Sequence, residues 1–126
     1  MTVATERRTR GQVSFHAGLA AEEFVSRAYL DRGYALVKKR WRGQAGEIDL
    51  IFRRNGGLVF TEVKKSRSLD QAALRITARQ IARISAAAME FAAHEPQGLL
   101  TEMRFDAALV DGNGALRVLP NAFAPG

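Results

Sequence analysis

A single α/β domain is the fold class this sequence predicts, and three observations carry that expectation. Apolar residues recur at helical spacing in two stretches. Five shorter apolar or alternating runs are bounded by turn residues, as strands are. No interdomain linker or internal repeat divides the chain, and 126 residues with 47% apolar content suit one domain with a substantial core.

The elements follow in order. Residues 1–13 are polar and basic and read as a disordered arm, leaving 14–126 as the folded domain. From Ser14 to Arg32 the pattern is helical, with Ala17, Ala21, Phe24 and Ala28 on one stripe and Gly33 as a stop signal. "YALVKKRWR" (34–42) reads as the first strand. "EIDLIFRR" and "LVFTEVKK" read as two more, with "NGG" between them as a hairpin turn. "SRSLDQAALRI" fits either a loop or a helical turn. Thr77 followed by Gln80 is a capping-box pattern. The helix it opens places Ile81, Ile84, Ala88 and Phe91 on one face and stops near His94, before Pro96. "EMRFDAALV" (102–110) and "ALRVLP" (115–120) are the last strands, around "DGNG". The order is therefore α-β-β-β-α-β-β.

Composition narrows the chemistry. With no cysteine there is no disulfide scaffold, thiol nucleophile or cysteine-ligated zinc site. No apolar run approaches the ~20 residues that cross a bilayer, and "MTVATERRTRGQ" lacks the apolar region of a signal peptide. A cytoplasmic protein with no membrane partner is the expectation. The formal net charge of +6 is concentrated between Lys38 and Arg67, where nine Lys/Arg meet three Asp/Glu. Such a patch suits a polyanion, nucleic acid first, although a basic solvated face would look the same.

Inside that basic window, Asp49 and Glu62 lie in apolar, strand-like runs where an ionised carboxylate is costly. With Asn55-Gly56 as a two-residue turn, Arg54 faces Gly57, Phe52 faces Val59 and Asp49 falls opposite Glu62. Strand alternation then places Glu47, Asp49, Glu62 and Lys64 on one face. A three-residue turn would change the parity and separate the two acids. Opposed carboxylates repel unless one is protonated or a cation lies between them. A hard divalent cation such as Mg²⁺ suits two carboxylates, water and phosphate oxygens, and a lysine beside it completes a set capable of phosphodiester hydrolysis. A structural ion pair between Glu62 and a neighbouring base, with no metal, is the competing reading.

These motifs resemble the YraN-like bacterial family, described as predicted endonucleases of the PD-(D/E)XK nuclease superfamily and distantly similar to archaeal Holliday junction resolvases. The matching stretches are "GLAAE" (18–22), "GY" (33–34), "WR" (41–42), "GEIDLI" (46–51), "VFTEVK" (59–64), the "T…RI…AA" of 77–88, "RFD" (104–106) and "NAF" (121–123). The resemblance implies a restriction-endonuclease-like core, a mixed central β-sheet flanked by helices, over one nuclease-like domain. It implies Asp49 and Glu62 as carboxylates holding Mg²⁺ or Mn²⁺, Lys64 as the catalytic lysine and Glu22, by its spacing from Gly18, as a further catalytic acid. The family commonly has Asn at the position of Arg40, Arg at that of Ser66 and Lys at that of Gln80.

The expected function is thus a metal-dependent endonuclease acting on DNA, branched or structured DNA included, with Arg40, Arg42, Lys65, Arg67, Arg79 and Arg83 as nucleic-acid contacts. Cleavage of a junction would favour a homodimer. The alternative is a nucleic-acid-binding module with the same fold and no useful turnover. Trp41 suits either base stacking or packing. Arg104 and Asp106 share one strand face and form a structural ion pair on this reading, and His16 and His94 are surface residues at helix ends.

Overall fold

In the computed structural model the structure describes residues 18–122. The expected arm 1–13, the expected helix start at 14–17 with His16 and Ala17, and Phe123 of the "NAF" stretch lie outside them. Helix α1 occupies residues 18–31. Strands β1 (Ala35–Arg42), β2 (Glu47–Arg54) and β3 (Gly57–Lys65) follow, then helices α2 (Leu69–Leu74) and α3 (Ala78–Ala92). A short 3₁₀ turn at Gly98–Leu100 leads into β4 (Met103–Val110) and β5 (Leu116–Leu119). The five strands form one sheet in the order β1-β2-β3-β4-β5. All neighbours are antiparallel except β3 and β4, which run parallel. A parallel pair needs a long crossover, and α2 with α3 supplies it.

Local chemistry sets the turn of the β2–β3 hairpin. Asn55 (φ 53°) and Gly56 (φ 81°) both take the left-handed conformation that a two-residue turn matching strand twist requires. The pairing then runs Arg54–Gly57, Arg53–Leu58, Phe52–Val59, Ile51–Phe60 and Leu50–Thr61, the register expected from such a turn. At α3, Thr77 accepts the Gln80 N–H while Gln80 accepts the Thr77 N–H, each at 3.2 Å. This reciprocal cap satisfies two donors that the first helical turn leaves without partners.

Helices cover both faces. Under α1, Ala21, Val25 and Tyr29 pack on Leu50, Phe52, Val59 and Ala108. Under α3, Ala87, Ala88 and Ala92 pack on Ile48, Ile51, Leu58 and Phe60, and a third cluster joins Ala72 of α2 to Ile84, Ala107 and Leu109. The alanines allow α3 close to the sheet, while Ile81 and Phe91 are only partly buried. Phe91 meets Trp41 edge to face with centroids 5.2 Å apart, so Trp41 is a packing residue.

Three features differ from the sequence expectation or settle what it left open. The buried stripe of α1 is Ala21, Val25 and Tyr29, and Phe24 is left partly exposed. Tyr29 decides this rotation: its ring stacks on Phe52 and its hydroxyl donates to Asp106 at 2.6 Å. Second, residues 69–74 are a helix, capped by Ser68 accepting the Gln71 N–H. Third, β1 shifts register between Leu36 and Lys38 and holds Arg40 at φ 49°.

Asp106 is wholly buried yet accepts four hydrogen bonds: two from Arg104, one from Tyr29 and one from the Asn121 N–H. That satisfies a buried charge that would otherwise be prohibitive. Burial, and then the Asp106 carboxylate, push the Tyr29 hydroxyl pKa well above the usual tyrosine range. Arg104 and Asp106 form the ion pair read from the sequence, and it ties α1, β4 and the segment after β5 together.

Candidate functional site

The chemistry-bearing residues gather where β2 and β3 separate. Paired residues of the hairpin end at Leu50–Thr61. The next step on the same diagonal is Asp49 beside Glu62. There the Val63 N–H donates to Asp49 Oδ2 at 2.8 Å, so a side-chain carboxylate continues the bonding where the backbone ladder stops.

Strand alternation also breaks at this point. Lys39 and its partner Leu50 face α1, Lys39 pairing with Glu23 and Leu50 packing on the α1 cluster. Only two residues away, Trp41 and its partner Ile48 face α3. The pleat therefore slips at Arg40 and Asp49, whose side chains escape the simple two-face pattern. Asp49 turns toward β3, and the acid pair borders space on both sides of the sheet. A cavity of about 520 Å³ under α1 is lined by Glu22, Asp49, Glu62, Lys64, Lys65 and Arg75 among others. A second, of about 200 Å³ beside α3, is lined by Glu47, Asp49, Glu62, Gln80 and Arg83. The one-face arrangement expected for Glu47, Asp49, Glu62 and Lys64 is thus replaced by a site astride the sheet end.

Burial controls the charges. It raises the Asp49 carboxyl pKa to about 7, with the neighbouring Glu62 charge adding to the shift. Burial likewise raises Glu62, while Lys64 pulls it back down. Lys64 Nζ sits 3.2 Å from Glu62 Oε1, both side chains largely shielded from solvent. Two adjacent acids that resist joint ionisation are the donor set a hard cation relieves, because bound positive charge removes both the repulsion and the need for a shared proton. Asp49 and Glu62 therefore fit Mg²⁺ or Mn²⁺ in donor chemistry. Among the described residues, however, no group of three or more His, Asp or Glu side chains converges as a metal site. Glu22 lines the larger cavity, but its carboxylate accepts from Arg40 Nε at 3.0 Å.

The basic residues divide into two sets. Arg40 pairs with Glu22, and Arg42 with Glu47 at 3.1 Å. Lys65, Arg67, Arg79 and Arg83 have no acidic partner among the described residues. Nor has Arg75, which donates instead to the Lys65 carbonyl at 2.8 Å.

Two further residues have a place at the site: Arg75, which in the sequence stands four residues before Arg79 in a series of bases spaced to suit phosphates, and Glu90, which the sequence reading did not single out. Arg75 caps the C-terminus of α2 and points into the larger cavity. The Ser68–Gln71 spacing was the signal for that helix. Glu90 of α3 accepts the N–H groups of Gln44 and Ala45 at 2.9 and 3.2 Å, fixing the β1–β2 loop just before Glu47. Those two backbone bonds hold its carboxyl pKa below the ordinary range. The loop passes so close that a Cβ on Gly43 would lie 2.5 Å from both Glu90 and Trp41.

A mixed sheet flanked by helices, with an acid pair and a lysine at the ends of its central strands, is compatible with a restriction-endonuclease-like core. The chain belongs to the uncharacterised protein family UPF0102, whose model matches residues 21–110. That agrees with the YraN-like resemblance. It is 56% identical over 116 residues to a UPF0102 protein of Roseobacter denitrificans, covering 92% of this chain and 90% of that one. A UPF0102 protein of Ruegeria pomeroyi is 55% identical over 118 residues, covering 94% and 96%. One from Cereibacter sphaeroides is 53% identical over 114 residues, covering 90% and 97%. Fold and family are consistent with the nuclease-like superfamily and with nucleic-acid-binding proteins. Among the described residues no helix is long and apolar enough to cross a membrane.

Proposed function

We propose that this protein is a metal-dependent endonuclease hydrolysing phosphodiester bonds in DNA, branched or structured DNA included. The observation that carries the reading is the meeting of Asp49, Glu62 and Lys64 at one cavity, with both carboxyls raised by burial. Asp49 and Glu62 would hold Mg²⁺ or Mn²⁺, which supplies charge neutralisation at the phosphate and an acidified water. Lys64 has its ammonium beside Glu62, where it can donate to the attacking water or to a non-bridging phosphate oxygen. Glu22, at the cavity wall, adds negative charge beside both acids and can serve as a further catalytic group once its bond to Arg40 opens. Lys65, Arg67, Arg79 and Arg83 supply phosphate contacts, and Arg40 and Arg42 join them if their ion pairs exchange acid for phosphate. A cytoplasmic protein acting as a homodimer on two-stranded targets fits this reading.

The second reading is a nucleic-acid-binding module without turnover, and the engagement of Glu22 by Arg40 favours it. The deciding experiment incubates a panel of labelled duplex, junction, flap and single-stranded DNAs with Mg²⁺ or Mn²⁺. Metal-dependent cleavage of at least one member by the wild type and none by Lys64→Ala supports the enzyme. Binding without cleavage across the panel supports the module.

A further inference from the structure

The acid pair is shared by two cavities on opposite sides of the sheet, and each has its own cation without an acidic partner. On the α1 side these are Lys65 and Arg75. On the α3 side it is Arg83, whose aliphatic stem lies against Gly46 at ordinary contact distance from the position a Cβ would take. Elsewhere on the fold, Lys39, Arg40, Arg42, Arg53, Arg104 and Arg117 are all ion-paired. Of the cations with no acidic partner among the described residues, Lys65, Arg75 and Arg83 are those that line the two cavities holding the acids. Glu47 also borders the α3-side cavity, but its carboxylate is already compensated by Arg42.

We infer that one nucleic-acid strand crosses the end of the sheet through both cavities. The phosphate to be cut lies over Asp49 and Glu62, a phosphate on one side of it meets Lys65 and Arg75, and a phosphate on the other side meets Arg83. The inference rests on the nuclease reading for the identity of the central phosphate. It adds a polarity: the chain grips its substrate on both sides of the cut and in two separate places. The two cavities lie on opposite sides of the sheet, so a strand that enters both follows a path open to it where it is free of its partner. Such a path suits flaps, junction crossovers and single strands better than plain duplex. Arg75 becomes a phosphate-positioning residue that the basic hairpin alone would not have suggested.

The test measures binding of Lys64→Ala protein to a fluorescent single strand in which one phosphate at a time is replaced by a neutral methylphosphonate. Two separate positions should each weaken binding about ten-fold, the size of one charge-assisted contact. In Arg75→Gln the penalty at one position should vanish while the other persists, and Arg83→Gln should show the reverse. Lys65→Gln should follow Arg75→Gln. The Arg75 and Arg83 side chains are exposed, so neither of those changes threatens folding. If both variants erase the same position, or neither erases any, the two-sided path is wrong even if the wild type cleaves DNA. If the wild type fails to cleave but the two variants still erase different positions, the path stands and the enzyme reading falls. Absence of binding overturns both.

Discussion

Asp49 Oδ2 accepts the Val63 N–H at 2.8 Å across the gap where β2 and β3 part. One residue thereby serves two ends. As a structural acceptor it satisfies a backbone donor at the last step of the sheet, and as an acid beside Glu62 it carries charge that burial opposes. The fold tolerates this through the raised pKa, which lets Asp49 hold a proton up to about neutrality in the absence of a cation.

A pH dependence follows with a definite sign. An Asp held near pKa 7 in the folded protein, against a usual value of 3.8, binds its proton more tightly when folded. The stability this contributes is full below about pH 4 and is lost as pH rises through about 7. The contribution is at most about 4 kcal/mol, shared with the neighbouring Glu62. Thermal melts from pH 4 to 8 without metal should show wild-type stability falling relative to Asp49→Asn over that window. Parallel curves would mean that Asp49 is not so perturbed.

Metal should act on the same pair. Mg²⁺ or Mn²⁺ at concentrations well above its dissociation constant should raise the wild-type melting temperature, since binding confined to the folded state stabilises it. Lys64→Ala should keep that response, because lysine does not ligate the ion. Asp49→Asn and Glu62→Gln should lose it. A metal-induced rise of equal size in Asp49→Asn would place the ion elsewhere.

The Asp106 network gives a stability prediction independent of function. Arg104→Ala leaves a fully buried carboxylate without its ion-pair partner, and should cost ~3–5 kcal/mol. Tyr29→Phe removes one hydrogen bond to the same charge, worth about 1.5–3 kcal/mol. Urea denaturation measures both, and a loss below 1 kcal/mol for Arg104→Ala would show that Tyr29 and the Asn121 N–H suffice to hold the charge.

How legible the site was depends on the range of the forces that build it. The hairpin register could be counted from Asn55-Gly56 and the α3 cap read from Thr77 and Gln80, because turn and cap chemistry act within a few residues. The meeting of Asp49 with Glu62 followed from that register. The slip of the pleat at Arg40 and Asp49 could not be counted, because it is imposed jointly by the shift in β1, the packing of Trp41 on Phe91 and the grip of Glu90 on the loop between β1 and β2. The rotation of α1 depended on Tyr29 finding Asp106, 77 residues away. The parallel pairing of β3 with β4 rests on a helical crossover whose first helix is only six residues long. Arg75 reached the cavity only because that helix forms.

Gly43 and Glu90 test how the loop before Glu47 is held. Gly43→Ala would bring a Cβ within 2.5 Å of both Glu90 and Trp41, and should destabilise by ~1–3 kcal/mol. Glu90→Ala removes one of the two crowding groups along with two hydrogen bonds to the loop. The double variant should therefore lose less stability than the sum of the singles. Strict additivity by denaturation would show that Trp41 alone sets the constraint.

The last expectation distinguishes the two sets of bases in DNA binding. A phosphate contact releases counterions, so the logarithm of the binding constant falls linearly with the logarithm of salt concentration. Each cation removed from the contact surface should lower that slope by about 1. Lys65, Arg67, Arg79 and Arg83 have no acidic partner among the described residues, so neutralising any one that contacts phosphate should weaken binding to all sequences alike. Arg40 and Arg42 must first leave Glu22 and Glu47, and part of their charge is already spent. Their Gln variants should change the slope less, and Glu47→Gln should strengthen binding by releasing Arg42. Titrations of a labelled DNA from low to physiological salt decide the matter. If Arg42→Gln flattens the slope as much as Arg83→Gln does, the ion pairs of the free protein do not persist on DNA, and the contact surface extends across β1 to the edge of the sheet.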